Sequence, residues 1–179
     1  MPRLAALTCL AAAVETIGLM GCAGPSGSGS APVVPEVPAP PGDAFRARVQ
    51  RVVDGDTFLA LRDGQRLRVR LIGIDAPESV QPDAPVECFG PEAADSLEQM
   101  LAPGSRVDAA YQAGEAADQF GRQLWDVWLD DGRFVQAELV RQGAVRARAY
   151  RPHTQHADLL DRLDDAARDA EVGLHRACS

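Results

Sequence analysis

The sequence predicts an α+β fold in which five short strands close into a barrel and three helices pack around it. Three observations carry this prediction. Apolar residues alternate with period two in short runs separated by turn signals, a helical stretch falls between the third and fourth runs, and two more helical stretches follow the last. Five strands with a helix between the third and fourth form the pattern of the OB-fold barrel, which closes on itself and leaves no exposed sheet edge.

Phe45, Ala47 and Val49 alternate with Arg46 and Arg48 and give the first strand. Thr57, Leu59 and Leu61, then Leu67, Val69 and Leu71, read as the inward faces of two more strands. Asp63-Gly64 between them is a strong two-residue hairpin signal, because both central residues need positive φ. If Arg62 pairs with Gln65, Thr57 lies opposite Arg70 and Asp56 opposite Leu71. Gly90-Pro91 opens a helix with proline in its first turn, and Ala94, Leu97 and Leu101 supply the apolar stripe until Pro103-Gly104 stops it. Arg106 to Tyr111 is the fourth strand and Leu124 to Leu129 the fifth. Asp131-Gly132 turns into a helix from Phe134 to Gln142, closed by Gly143. The last helix, about His156 to Glu171, has Leu159, Leu163, Ala166 or Ala167, and Ala170 at helical spacing.

The chain divides into three parts. Residues 1–22 resemble a lipoprotein signal: Arg3 and an apolar run lead to Leu19-Met20-Gly21-Cys22, a lipobox in which Cys22 would be the lipidated residue. Residues 23–43 are a spacer rich in Gly, Ser and Pro. Residues 44–179 are the folded domain. This organisation predicts an exported protein, either anchored to the cell membrane by lipid or secreted, and a monomer.

The net charge of −8 argues against an indiscriminate polyanion binder. The distribution is uneven, however. Every one of the 18 basic residues is Arg; residues 46–70 and 133–151 are basic stripes, while residues 158–171 are acidic. Localised basic faces remain compatible with salt-dependent phosphate recognition. The hairpin register also places Asp56, Arg70 and Asp75 close together. Two acids and a guanidinium are costly to assemble unless they hold a cation and an anion side by side.

DGDT at 54–57, RLIGIDAPE at 70–78, FGPEA at 89–93, FGR at 120–122 and LVRQG at 139–143 occur in order in this chain. Together they resemble the staphylococcal nuclease (thermonuclease) family over essentially the whole folded part. The resemblance implies an OB barrel with three helices. It also implies a calcium-dependent phosphodiesterase acting on DNA and RNA and leaving 3′-phosphorylated products.

Hydrolysis of a phosphodiester needs an activated water and neutralised phosphate oxygens. Calcium takes carboxylate, carbonyl and water oxygens, so Asp56, Asp75 and the backbone carbonyl of Ala76 are the expected metal ligands. Ala76 stands where the family usually has Thr, which a backbone ligand does not depend on. Asp54 reads as a turn acid. Glu78 is the expected general base or water-orienting residue. Arg70 and Arg122 form the expected phosphate clamp, using a planar fork that lysine lacks. Phe120, Arg148 and Tyr150 are the expected substrate contacts. Here the chain departs from the family pattern. Gln119 replaces a frequent Lys, Phe120 a Tyr, and Arg148 takes the place of a second Tyr, which puts affinity and base preference in question.

Of the four cysteines, Cys9 and Cys22 lie in the signal region. Cys88 and Cys178 remain, and in an exported protein they are expected to form a disulfide, two free thiols being the alternative. The three histidines show no metal-ligand spacing. The competing reading is a catalytically silent OB-fold surface module that binds nucleic acid or protein.

Overall fold

The computed structural model describes residues 36–79 and 85–178. Cys22, the lipobox region and most of the Pro/Gly/Ser stretch lie outside the described residues. Five strands form a closed barrel: β1 (Phe45–Asp54), β2 (Thr57–Arg62), β3 (Gln65–Leu71), β5 (Arg106–Ala110) and β6 (Gln123–Leu129), in the order β1-β2-β3-β6-β5 with β5 returning to β1. A two-stranded ribbon of β4 (Ile74–Asp75) and β7 (Arg146–Ala147) sits beside it. Among the described residues there are four helices: α1 (Gly90–Met100), α2 (Val135–Arg141), α3 (Ala157–Asp169) and the single turn α4 (Leu174–Ala177). The three substantial ones are those the sequence predicts.

The β2–β3 hairpin has the predicted register, from Arg62 opposite Gln65 to Thr57 opposite Arg70. One expectation needs correction. On β2 the fully buried apolar side chains are Phe58 and Ala60, whereas Leu59 and Leu61 are only partly buried. Leu59 lies opposite Arg68 and Leu61 opposite Arg66, so they face outward, while Phe58 and Ala60 pair with the inward Val69 and Leu67. Alternation defines two faces, but only the register against the partner strand says which is buried.

Helix α1 seats Ala93, Leu97 and Leu101 in the core, all without solvent exposure, so the stripe begins at Ala93 and not at Ala94. Burial of each leucine contributes about 1.5–3 kcal/mol. On α3 the buried apolar positions are Leu159, Leu160, Leu163 and Ala167; Ala166 and Ala170 are exposed. Trp125, Trp128, Phe58 and Phe134 are the largest of the fully buried side chains among the described residues. Gln136, fully buried on α2, accepts from the Val127 N–H at 3.2 Å and donates to the Trp125 carbonyl at 3.1 Å. It supplies partners to β6 that a neighbouring strand would otherwise provide. Upstream of Ala44, Val37 packs on the core and the Pro38 carbonyl accepts from the Trp128 indole at 2.7 Å.

Candidate active site

The turn from β1 to β2 positions the first acid. Asp54 Oδ1 accepts from the Asp56 N–H at 3.1 Å, as a turn acid does. A Cβ on Gly55 would lie 2.7 Å from the Cβ atoms of both Ala76 and Ala93, so only glycine lets this turn press against the loop after β4 and against α1. That approach brings Asp56 beside Ala76, whose N–H donates to Asp56 Oδ2 at 2.8 Å, while Thr57 Oγ1 donates to Oδ1 at 3.0 Å.

From the facing strand, Arg70 Nη1 reaches Asp56 Oδ2 at 2.9 Å and Nη2 reaches Asp75 Oδ1 at 3.0 Å. The guanidinium bridges two carboxylates, and Arg70 as a whole is only 9% exposed. Burial is the main reason the Asp56 carboxyl is pushed up to about 6; Arg70 pulls it down and Asp54 adds to the rise. The other oxygen of Asp75 accepts from Arg148 Nη1 at 2.8 Å. Arg148 is delivered there by the β4–β7 ribbon and by its own N–H, which donates to the Gly73 carbonyl at 2.8 Å. The bond to Asp75 raises the Arg148 pKa.

The opposite wall is the loop before β6. Asp118 Oδ1 accepts from the N–H groups of Phe120 at 3.0 Å and Arg122 at 2.9 Å, and Oδ2 accepts from Arg122 Nε at 2.7 Å. Burial pushes the Asp118 carboxyl up, but these bonds from Arg122 outweigh it and hold the group below its usual value. Gly121 has φ of +75°, the left-handed conformation this tight turn requires. Phe120 is 73% exposed, with the Arg122 guanidinium 5.5 Å from its ring; Tyr150 is half exposed, with Arg148 5.2 Å from its ring.

Glu78 sits in the loop after β4. Its N–H donates to Glu87 Oε2 at 3.0 Å, its carbonyl accepts from the Glu87 N–H at 2.8 Å, and its Oε1 accepts from the Ser79 N–H at 2.9 Å. A Cβ on Gly90 would lie 2.6 Å from the Glu78 carbonyl oxygen, so α1 begins directly against this loop. Next to Glu87, Cys88 is disulfide-bonded to Cys178, 90 residues later.

A cleft of about 560 Å³ gathers Asp56, Arg70, Asp75, Glu78, Arg122 and Tyr150 along its walls, with Phe120 at its rim. Ala76 lines it as well, and Arg148 reaches it through Asp75. Two features escape the sequence reading. Asp118 is the partner that orients Arg122, and the signal for it was local: an Asp two residues before Phe120 and four before Arg122 in a glycine turn. The Asp75–Arg148 pair spans 73 residues and has no local signal.

Among the described residues, no three Asp, Glu, His or Cys side chains are assembled as a metal cage. The residues present fit a hard cation differently. Asp56 and Asp75 offer carboxylate oxygens, Ala76 a backbone carbonyl, and water would complete the shell. The raised pKa of Asp56 marks a buried carboxylate that Arg70 alone does not fully compensate, which favours a further positive charge there.

The small closed barrel gathers acids and arginines in one cleft, carboxylate oxygens beside guanidinium groups. The chain belongs to the staphylococcal nuclease family: a family profile described as Staphylococcal nuclease homologue matches residues 68–176. It is 37% identical over 126 residues to a thermonuclease of Staphylococcus intermedius, covering 70% of this chain and 73% of the relative. A thermonuclease of Staphylococcus hyicus is 36% identical over 127 residues, covering 71% and 73%. Endonuclease YncB of Bacillus subtilis (strain 168) is 31% identical over 118 residues, covering 65% and 54%.

Proposed function

We propose that this chain is a calcium-dependent phosphodiesterase that hydrolyses DNA and RNA in the cleft between the β1–β2 turn and the loop before β6. That it is a nuclease hydrolase follows from its family and from relatives named as thermonucleases and endonucleases. The observation that carries the finer reading is Arg70 bridging Asp56 and Asp75 on the wall of a cleft that also holds Glu78 and Arg122.

Asp56, Asp75 and the Ala76 carbonyl would hold calcium, which when bound supplies charge neutralisation to the phosphate and to the leaving oxygen. Glu78 orients the attacking water and accepts its proton; a carboxylate is a weak base, so much of its contribution is positional. Arg70 and Arg122 hold the non-bridging phosphate oxygens, where negative charge grows as the water attacks. Asp118 positions Arg122 by binding its Nε on the wall of the cleft. Phe120 and Tyr150 offer ring faces to the flanking bases, and Arg148 offers a cation to base or phosphate.

The silent-module alternative is not favoured, since both acids, Glu78 and both arginines line the one cleft. The test is cleavage of single-stranded and double-stranded DNA and of RNA by purified protein with calcium, with chelator, and with Glu78→Gln. Absence of calcium-dependent cleavage by the unaltered protein ends this reading.

We further propose that the protein is exported and anchored through a lipidated Cys22, acting as a monomer. The Leu19 to Cys22 sequence supports export, as does the Cys88–Cys178 disulfide, a bond that persists in oxidising compartments. Incorporation of labelled fatty acid that is lost in Cys22→Ala would bear this out; equal labelling of both would sink it.

A further inference from the structure

The outer face of the barrel carries arginines that the cleft does not use. Across the strands, Arg106 on β5 lies opposite Arg48 on β1, Arg48 opposite Leu61 on β2, and Leu61 opposite Arg66 on β3. One row further, two residues along β2 and β3 and three along β1 across a bulge, Arg51 lies opposite Leu59 and Leu59 opposite Arg68. The next row is Thr57 opposite Arg70, which is the wall of the cleft. Arg48, Arg51, Arg66, Arg68 and Arg106 are all exposed. Among the described residues, none of the five is in an ion pair; Arg48 and Arg51 donate only to the backbone carbonyls of Gly104 and Val52.

This arrangement is unfavourable by itself. Like charges placed directly opposite on a sheet, as Arg48 and Arg106 are, destabilise the pairing. The chain has acids to spare at a net charge of −8, yet its acidic excess lies on 158–171 and not here. Unpaired cations in rows about 7 Å apart, two strand residues, match a partner with regularly repeated negative charge. The half-buried Leu59 and Leu61 between the rows supply apolar contact beside the charges.

We infer that this face is an accessory phosphate track, on which the polynucleotide lies as it leads into the cleft. The inference rests on the nuclease reading and extends it to the substrate, which is then a chain longer than the cleft can hold. Continuity decides between nucleic acid and another anionic partner such as a lipid surface, because the rows end on Arg70, where the scissile phosphate is held. The track also accounts for how a protein with a net charge of −8 grips a polyanion.

The test is binding of a labelled single strand of about 20 nucleotides in chelator, where nothing is cleaved. For Arg66→Gln/Arg68→Gln, the dissociation constant should rise about tenfold or more at about 0.1 M salt, and the slope of log K against log[salt] should fall by about 1.4, at 0.7 per phosphate contact. Arg162→Gln/Arg168→Gln makes the same change in net charge on the exposed face of α3, within the acidic stretch, and should leave the slope unchanged. With calcium, the patch variant should raise KM for the long strand by the same factor and leave dinucleotide cleavage unaltered. Equal weakening by both double variants would overturn the track, as would no wild-type binding in chelator. Loss of binding to anionic phospholipid vesicles with intact oligonucleotide binding would overturn it in favour of a membrane. If the unaltered protein cleaves nothing with calcium, the nuclease reading fails, and the chelator experiment still reports on the track.

Discussion

The two walls of the cleft are built in opposite ways. On the acid wall, Arg70 is buried between Asp56 and Asp75, and Asp56 is held by the Ala76 N–H, the Thr57 hydroxyl and the guanidinium at once. Every group there comes from a strand, a strand end or a turn pressed on the core by Gly55. The other wall is a loop in which one carboxylate, Asp118, orients Arg122, and Phe120 stands 73% exposed. The contrast teaches a division of labour. Under the proposed function, the groups assigned to bond cleavage are each held in place, Arg122 on the loop wall by Asp118, while Phe120, assigned to the bases, is left open to solvent.

This division can be tested by substitution, beginning with the largest effect. Arg122→Ala should lower kcat by about 10³–10⁵, as loss of an arginine from a phosphoryl-transfer site does elsewhere. Asp118→Asn should lower it less, because Arg122 keeps its charge and loses its orientation. Steady-state kinetics on one defined oligonucleotide would show whether that order holds; an Asp118 effect as large as the Arg122 effect would put the loop on the rigid side after all. Glu78→Gln should reduce kcat by about 10²–10⁴ with KM nearly unchanged. A change confined to KM would mean that Glu78 binds and does not activate water.

Phe120→Ala and Tyr150→Ala should act on the grip. Each should weaken oligonucleotide binding by about 1–3 kcal/mol with little change in kcat, read by titration of a labelled strand. A kcat defect from either would erase the distinction between the walls.

The pH response of Asp56 gives the smallest and most specific test. Its carboxyl has a pKa near 6 when folded, above the 3.8 of an ordinary aspartate. A raised folded pKa means the native state holds the proton more tightly between those values. Without calcium, this group's contribution therefore makes the protein lose stability as pH rises from about 3.8 to about 6, and no further above that. Asp118, whose pKa is lowered, acts in the opposite direction at lower pH. The difference in melting temperature between wild type and Asp56→Asn isolates the first effect. A difference that is flat across that window would show that Arg70 compensates Asp56 fully. Calcium affinity should weaken as pH falls through about 6, because the proton and the cation compete for the same oxygens.

The β2–β3 hairpin and the short sequence blocks made most of this architecture legible. Asp63-Gly64 fixed the register to the residue, and the register placed Arg70 across from the turn that carries Asp56. What escaped detection lacked local periodicity. The β4–β7 ribbon is two residues long on each side and α4 is one turn, too short for a repeat to register. Alternation leaves open whether the Phe58/Ala60 face is inward, because it is symmetric until the partner strand is known. The Arg148 contact with Asp75 depends on that ribbon, so nothing near Arg148 in the chain announces it.

The Glu78 loop is clasped by Glu87 and Gly90, and the adjoining Cys88 is bonded to Cys178 near the last residue of the chain. The closed span of 90 residues is worth about 4–5 kcal/mol in the chain-entropy picture. It also couples two distant ends of the fold. Reduction of the bond should loosen the Glu78 loop and α4 together, read as faster amide exchange in both while the barrel strands keep their protection.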